Sequence, residues 1–264
     1  ATGINPGKKL FVGVLEKASL ASIRICISGG GPLAPSVFRQ YNQLGIDFVQ
    51  GYGLTETAPI LTLNPTEHYK ETSVGRVLPQ VDIRILEPDE RGAGEIAVKG
   101  PMVMRGYYEM PDETSAVFTA DGYFRTGDVG YLDAENYLYL TGRAKNLIVS
   151  EGGKNVYPEE IENAFQLYDE ISQILVRGYT SGSHGGELIE AVVHPDYDRF
   201  RAAGISGSSD RPGGAERAIE ERIREIVAEV NKTLQPYQRI SRTVVRDTAM
   251  ETTSTKKIKR RTVQ

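Results

Sequence analysis

Side chains able to do chemistry gather in a few short segments. Gly51-Tyr52-Gly53-Leu54-Thr55-Glu56-Thr57 combines two glycines, an aromatic face, hydroxyls and a carboxylate. Glycine lets backbone approach a ligand, Tyr52 offers a stacking face, Thr55 a hydroxyl, and Glu56 a hard oxygen suited to Mg²⁺. The same string also suits a plain turn in which Thr55 caps a helix. A second glycine turn is Ser28-Gly29-Gly30-Gly31-Pro32-Leu33. Tyr123-Phe124-Arg125-Thr126-Gly127-Asp128 ends on a carboxylate that accepts hydrogen bonds through two oxygens, although Gly127-Asp128 alone also reads as a turn. Gly142-Arg143-Ala144-Lys145 carries two cations, for which a surface charge pair is the bland alternative, and Glu151-Gly152-Gly153 has β-turn composition. The basic run from Lys256 to Arg261 reads as a solvated tail or an anion-binding patch. His68, His184 and His194 show neither metal spacing nor a paired nucleophile.

These segments need elements to hold them. Ile23 to Ser28 reads as a strand, Pro35 opens a helix with Val37, Phe38, Tyr41 and Leu44 at helical spacing, and Ile46 to Gln50 reads as a second strand. That order suggests a crossover unit of a parallel sheet, with the Gly51 segment at the strand end where open α/β sheets bind ligands. Val81, Ile83 and Ile85, a turn at Pro88 to Gly94, then Ile96 and Val98 predict a hairpin; Tyr123 to Leu140 predicts another, reversing at Asp133 to Asn136. Beyond Lys145 the pattern becomes a small α+β unit. It has a strand at Asn146 to Ser150, a helix opened by Pro158 with Ile161, Ala164, Phe165 and Tyr168 on one face, and strands at Ile171 to Tyr179 and Leu188 to His194. Arg201 to Gly214 reads as a loop, and Ala215 to Leu234 as a helix with one apolar stripe. Tyr179 to Gly186, rich in Ser, Thr and Gly, imitates a phosphate loop but has no lysine, and reads as a β-hairpin-type loop.

The 264 residues suffice for one large or two unequal domains, and 39% hydrophobic with 25% charged residues is ordinary for a folded chain. A net charge of -4 gives no sign of nucleic acid as a partner, so any basic site is local. Cys26 is the only cysteine and cannot form an intrachain disulfide. No apolar run approaches the roughly 18 residues of a membrane span, and a cytoplasmic location is the expectation.

In order along the chain, the Gly29 turn, the Gly51 segment, Gly94-Glu95-Ile96 with Gly106-Tyr107-Tyr108, the block ending at Asp128, and Gly142 to Lys145 with Gly152-Gly153-Lys154-Asn155-Val156-Tyr157-Pro158-Glu159-Glu160-Ile161-Glu162 resemble the adenylate-forming (AMP-binding) superfamily. Thr253-Ser254-Thr255-Lys256-Lys257-Ile258-Lys259-Arg260 resembles its final motif. The resemblance is greatest to long-chain fatty acid–CoA ligases, on the Lys145 hinge type and the Lys-x-Lys-Arg-Arg ending. It implies a mixed α/β and α+β fold. Residues 1–142 would be the C-terminal part of the large AMP-binding domain, with sheet layers and a β-rich subdomain, and 143–264 a small mobile α+β domain hinged at Lys145.

The resemblance also implies ATP, Mg²⁺ and coenzyme A as cofactor and substrates, and a fatty acid as the acid activated. Gly30, Gly31 and Pro32 would lie on the adenine side with Gly51, Tyr52 and Gly53. Asp128 would hold the ribose hydroxyls, Arg143 the ribose or phosphate, Thr55 the phosphates and Glu56 the metal. Gly152 and Gly153 would line the thiol channel, and Lys257, more than its neighbour Lys256, would bridge the substrate carboxylate and α-phosphate. Only 28 residues precede Gly29, whereas the family places its phosphate loop and acyl-pocket wall there. The expectation is therefore the C-terminal part of a longer enzyme, with its upstream part as a partner and peripheral membrane contact only through the fatty acid. An aryl-acid or peptide-synthetase adenylation module loading a carrier protein, and a non-catalytic fragment, are the competing readings.

Overall fold

The computed structural model describes residues 6–180, 186–205, 214–253 and 257–262. The chain divides into two compact units, Ala1–Lys145 and Asn146–Gln264.

The first unit begins with helices α1 (Gly7–Leu10) and α2 (Val12–Lys17), then β1 (Cys26–Ser28), α3 (Pro35–Gln43), β2 (Phe48–Gly53), β3 (Ile60–Leu63) and β4 (Arg76–Val77). These strands form one sheet in the order β1-β2-β3-β4, with β1 and β2 parallel across the α3 crossover, as the sequence predicts. Pro35 starts α3 with its φ preset, and Phe38 on the inner face joins Leu15, Ile46 and Phe48 in a small core. Asn42 is buried on the same helix and its amide donates to the carbonyls of Phe38 and Phe48, at 3.1 and 3.0 Å, which pins helix to strand. Tyr41 stays largely exposed but stacks on Phe48 at 4.8 Å between ring centroids. Strand bounds differ from expectation, and β2 begins at Phe48 and not at Ile46. Ile23 and Ile25 lie outside the ladder, because only Cys26 to Ser28 register with Phe48 to Gln50. At the other end β2 continues through Gly51, Tyr52 and Gly53, so the motif closes the strand instead of following it.

A second, antiparallel sheet follows from β5 (Asp82–Leu86), β6 (Gly94–Lys99), β7 (Phe124–Leu132) and β8 (Leu138–Arg143), in simple meander order. The register sets Ile83 against Val98 and Ile85 against Ile96, the alternation visible in the sequence. Between β6 and β7 a short helix, α4 (Pro111–Val117), escapes the sequence pattern because none of its residues is buried. Tyr52 and Leu61 from the first sheet pack with Ile96, Val98, Phe124 and Leu138 of the second, so the two sheets share a core.

The second unit opens with the hairpin β9 (Ile148–Val149) and β10 (Asn155–Val156), then α5 (Pro158–Asn163), β11 (Ile171–Tyr179), β12 (Leu188–Pro195), α6 (Tyr197–Ala202), α7 (Gly214–Asn231) and β13 (Arg242–Val245). The sheet order is β11-β12-β13, with β12 and β13 parallel. Ile219, Ile223, Ile226, Val227 and Val230 of α7 recur at helical spacing and pack with Ile161, Phe165, Val176, Ala191 and Val193. The expected loop from Arg201 is a helix at its start, since Asp196 caps α6 by accepting from the amides of Asp198 and Arg199. Residues 206–213, and 181–185 of the Ser/Thr/Gly-rich string, lie outside the described residues. On the other face of the sheet Leu175, Val192 and Met250 form a second small cluster that receives Ile258 from the tail. Among the described residues no helix is long and apolar enough to cross a membrane.

Candidate active site

Because β1 and β2 are parallel, the two glycine segments leave the sheet at the same end. A Cβ on Gly29 would touch the Gly51 carbonyl oxygen at 3.4 Å, which measures how closely they approach. Gly30 has a φ of +81°, a conformation L residues rarely adopt, and side-chain positions at Gly30 and Gly31 face open space. Pro32 is exposed beside them. The glycine at 53 has a different cause. A Cβ there would fall 1.7 Å from the Pro59 carbonyl oxygen, so the turn after β2 is what excludes any other residue.

That turn is a single 3₁₀ turn over Thr55–Thr57. The hydroxyl that organises it belongs to Thr57, which is buried, accepts from the Leu54 amide at 3.0 Å and donates to the Pro59 carbonyl at 2.8 Å. Thr55 is therefore not the cap that the sequence also allowed, and its side chain is exposed. The Glu56 backbone carbonyl accepts from the Met104 amide at 2.8 Å, and its carboxylate accepts from the Tyr107 phenol at 3.2 Å. Burial, then the Glu56 charge, pushes the Tyr107 phenol up, so it stays a donor.

Across the shared core, Asp128 sits on β7 opposite Arg143 on β8. Tyr52 Oη donates to Asp128 Oδ2 at 2.7 Å, and Arg143 Nε lies 2.7 Å from Asp128 Oδ1. The Asp128 amide donates to Thr126 Oγ1 at 3.1 Å, and Thr126 in turn donates to the Ile96 carbonyl at 2.8 Å. Tyr52 and Asp128 are 8% and 7% exposed, so this cluster is dry apart from the partly open guanidinium. Burial first, and then the Asp128 charge, drives the Tyr52 phenol upward, which keeps its proton on the Asp128 side. The chain Tyr52, Asp128, Arg143 thus links the two sheets through one carboxylate.

Among the sequence-derived candidates, the structure brings together Tyr52, Asp128 and Arg143, and sets the Gly29 turn beside Gly51. Lys145 is exposed in the 3₁₀ turn Ala144–Asn146, where the first unit ends. In the second unit, Gly152 and Gly153 occupy the exposed turn between β9 and β10, closed by the Gly153 amide donating to the Ser150 carbonyl at 2.8 Å. Lys257 is exposed on the C-terminal tail, and Lys256 lies outside the described residues. Tyr107 and Thr126 lie within motif segments whose sequence assigns them no role. Each acts through a partner distant in sequence or on the backbone, which spacing alone does not reveal. No group of three or more His, Cys, Asp or Glu able to hold a metal ion occurs among the described residues.

Residues 6–108 match the family model described as AMP-binding enzyme. A long-chain-fatty-acid–CoA ligase of Bacillus subtilis is 39% identical over 187 residues, covering 68% of this chain and 33% of that protein. An indoleacetate–CoA ligase of Aromatoleum aromaticum is 38% identical over 196 residues, covering 72% and 38%. The o-succinylbenzoate–CoA synthetase of Bacillus subtilis, solved in complex with its acyl-adenylate intermediate, superposes with a TM-score of 0.74 at 27% identity over 97% of this chain and 49% of that one. The same synthetase, solved with ATP and magnesium ion, gives a TM-score of 0.72 at 27% identity, over the same shares of the two chains. The chain thus spans about a third of the length of the curated relatives and half of the solved synthetase. With the glycine turns, the Tyr52–Asp128–Arg143 cluster and this shared fold in place, residues 6–108 carry the match to AMP-binding enzymes and the chain has the mixed α/β architecture of adenylate-forming enzymes.

Proposed function

We propose that the chain is the C-terminal portion of an AMP-forming acid–thiol ligase, which joins a carboxylic acid to coenzyme A through an acyl-adenylate. In the first half-reaction a carboxylate oxygen attacks the α-phosphorus of ATP, and the bond to pyrophosphate breaks. In the second the thiol of coenzyme A attacks the acyl carbon, AMP leaves, and the thiol proton goes to solvent. The observation that carries the reading is the buried Asp128, oriented from both sides by Tyr52 and Arg143. A carboxylate accepts through two oxygens, which suits it to the paired ribose hydroxyls, and Tyr52 and Arg143 orient the plane of Asp128. Gly30, Gly31 and Pro32 supply an open backbone surface for the adenine, with Gly51, Tyr52 and Gly53 at the adjoining strand end. Thr55 hydrogen-bonds the phosphates. Lys257 meets the charge that develops between carboxylate and α-phosphate. Gly152 and Gly153 line the path of the thiol.

Glu56 fits a magnesium ion. Its half-buried carboxylate has one neutral phenol on it, and Mg²⁺ at nucleotide sites takes one or two carboxylates beside phosphate oxygens and water. Bound there, the ion would neutralise charge on the departing pyrophosphate.

For the acid, a long-chain fatty acid is the first reading, supported by the 39% identical relative. An aryl acid is the second, favoured by the indoleacetate ligase at 38%. Pyrophosphate release by the complete enzyme over a panel of fatty and aryl acids, with mass analysis of the thioester formed on coenzyme A or on a carrier protein, separates them. Failure to form any acyl-AMP with ATP would overturn the ligase reading itself.

A further inference from the structure

Residues 257–260 do not behave as a solvated tail. The Thr253 amide donates to the Lys257 carbonyl and the Lys259 amide to the Glu251 carbonyl, each at 2.8 Å, with Thr252 bridged to Ile258. The two limbs, 251–253 and 257–259, therefore form a small antiparallel stem, and Lys257 is the first described residue of the returning limb. Where the outgoing limb starts, Gln173 clamps Met250 in both directions. Its amide donates to the Met250 carbonyl at 3.1 Å, and its carbonyl accepts from the Met250 amide at 2.6 Å. Ile258 fills the cluster of Leu175, Val192 and Met250.

Where the returning limb ends, Arg260 turns inward. Its Nη2 donates to both oxygens of Glu162 at 2.8 and 2.7 Å, and its Nη1 donates to the Val176 carbonyl at 2.7 Å. The Val176 amide donates to Glu162 Oε1 at 2.7 Å. β11 is an outer strand of its sheet, so arginine and glutamate together satisfy both backbone groups that Val176 presents at the open edge. Arg260 Nη2 also reaches Glu159 Oε1 at 3.4 Å, and that same oxygen accepts from the side chain of Asn146, the first residue of the unit. Burial lifts the Glu162 carboxyl to about 7, against the downward pull of Arg260 and with the neighbouring Glu159 adding to the rise. The guanidinium divides its donors, Nη2 on the carboxylate and Nη1 on the Val176 carbonyl, a planar arrangement that a lysine ammonium does not reproduce.

We infer that Arg260, gripping Glu162 and Glu159, is a positioning residue for Lys257: it fixes the stem that presents the lysine relative to the β11 edge and to Asn146. The inference rests on Lys257 serving adenylation, and two separate measurements keep the two claims apart. In the chain itself, amide hydrogen exchange reads the anchor without any activity. Arg260→Met should speed exchange at Thr253 and Lys259 at least tenfold while α7 keeps its protection. In the complete enzyme Arg260→Met should slow acyl-AMP formation ten- to a hundredfold and leave thioester formation from supplied acyl-AMP near wild type. Arg260→Lys should recover part of the rate, because an ammonium can keep the charge but not the fork. If Arg260→Met does not fold, Glu162→Gln takes its place with the same expected split. Unchanged exchange at the stem would overturn the anchor. A loosened stem with normal adenylation, or equal loss in both half-reactions, would overturn positioning. If Lys257→Ala itself leaves adenylation at the wild-type rate, the reading of Lys257 fails and the positioning claim with it.

Discussion

Glu56 and Lys257 are single side chains whose roles can be separated by what each removes. Glu56→Gln keeps the shape of the side chain and an acceptor for Tyr107, and loses the charge. In the complete enzyme it should raise the Mg²⁺ concentration needed for half-maximal adenylation severalfold with folding intact, and an unchanged metal titration would leave Glu56 as a turn residue only. Lys257→Ala should slow acyl-AMP formation by roughly a hundred- to a thousandfold, since a lost charge contact in a closed site is worth about 3 to 4 kcal/mol. Thioester formation from supplied acyl-AMP should survive, as a stopped-flow comparison of the two half-reactions would show. Both residues stand out as candidates in the sequence because they sit in local strings whose composition is unusual. The partners that hold them do not. Tyr107 lies 51 residues from Glu56 and Arg260 lies 98 from Glu162, so only the fold juxtaposes them. Gly53 is an intermediate case, since the string flags the glycine while its cause, the Pro59 carbonyl, appears only once the turn is built.

Among the elements, legibility followed periodicity. The α7 stripe and the β5–β6 alternation repeat often enough to be read directly. By contrast α4 buries nothing, and β13 is four residues whose strand character comes from parallel pairing with β12, so neither leaves a pattern. The reversal between β7 and β8 shows what such a pattern hides. Asp133 Oδ1 accepts from the amides of Glu135 and Tyr137 at 2.9 and 3.0 Å, while Oδ2 takes Lys70 Nζ at 2.7 Å and the Tyr139 phenol at 3.2 Å. Burial alone would raise this carboxyl. The bonds from Lys70, the two amides and Tyr139 outweigh it and hold the group at about 2, below its usual 3.8. A carboxyl depressed on folding stabilises the native state above its unfolded pKa, and that contribution disappears as the pH falls through the folded value. Thermal unfolding should therefore lose stability between about pH 4 and pH 2, and Asp133→Asn should flatten that limb. Asp133→Ala should cost about 2 to 3 kcal/mol at neutral pH, because it leaves two turn amides without their charged acceptor and Lys70 with Glu135 in place of two carboxylates. An alanine variant that melts with wild type would assign the reversal to Asn136 and the strand ladder instead.

For the whole molecule, the boundary between the two units falls within the 3₁₀ turn Ala144–Asn146, where Lys145 is exposed. The sequence hinted at it through the change from β-rich to α+β pattern after Gly142, but periodicity cannot say which residue carries a motion. Two half-reactions with different attacking groups, a carboxylate on phosphorus and then a thiol on carbon, need different side chains at the same acyl-adenylate. Lys257 and the Gly152–Gly153 turn both belong to the second unit, and in the proposed cycle they would serve different halves. A pivot at Lys145 would present them in turn. Hinges absorb large changes of backbone dihedrals in a few residues, whereas proline fixes its own φ near about -65° and restricts the residue before it. Lys145→Pro should therefore confine the pivot, since Ala144 and position 145 both lose backbone freedom. The complete enzyme carrying it should form acyl-AMP and transfer the acyl group to coenzyme A at rates that fall unequally, one by at least tenfold more than the other. A folding defect would lower both together and would show in circular dichroism. Lys145→Ala serves as the control, because it removes the ammonium and keeps the dihedrals free, so it should spare the ratio of the two rates. A folded Lys145→Pro enzyme with both single-turnover rates intact would show that the units turn about some other residue.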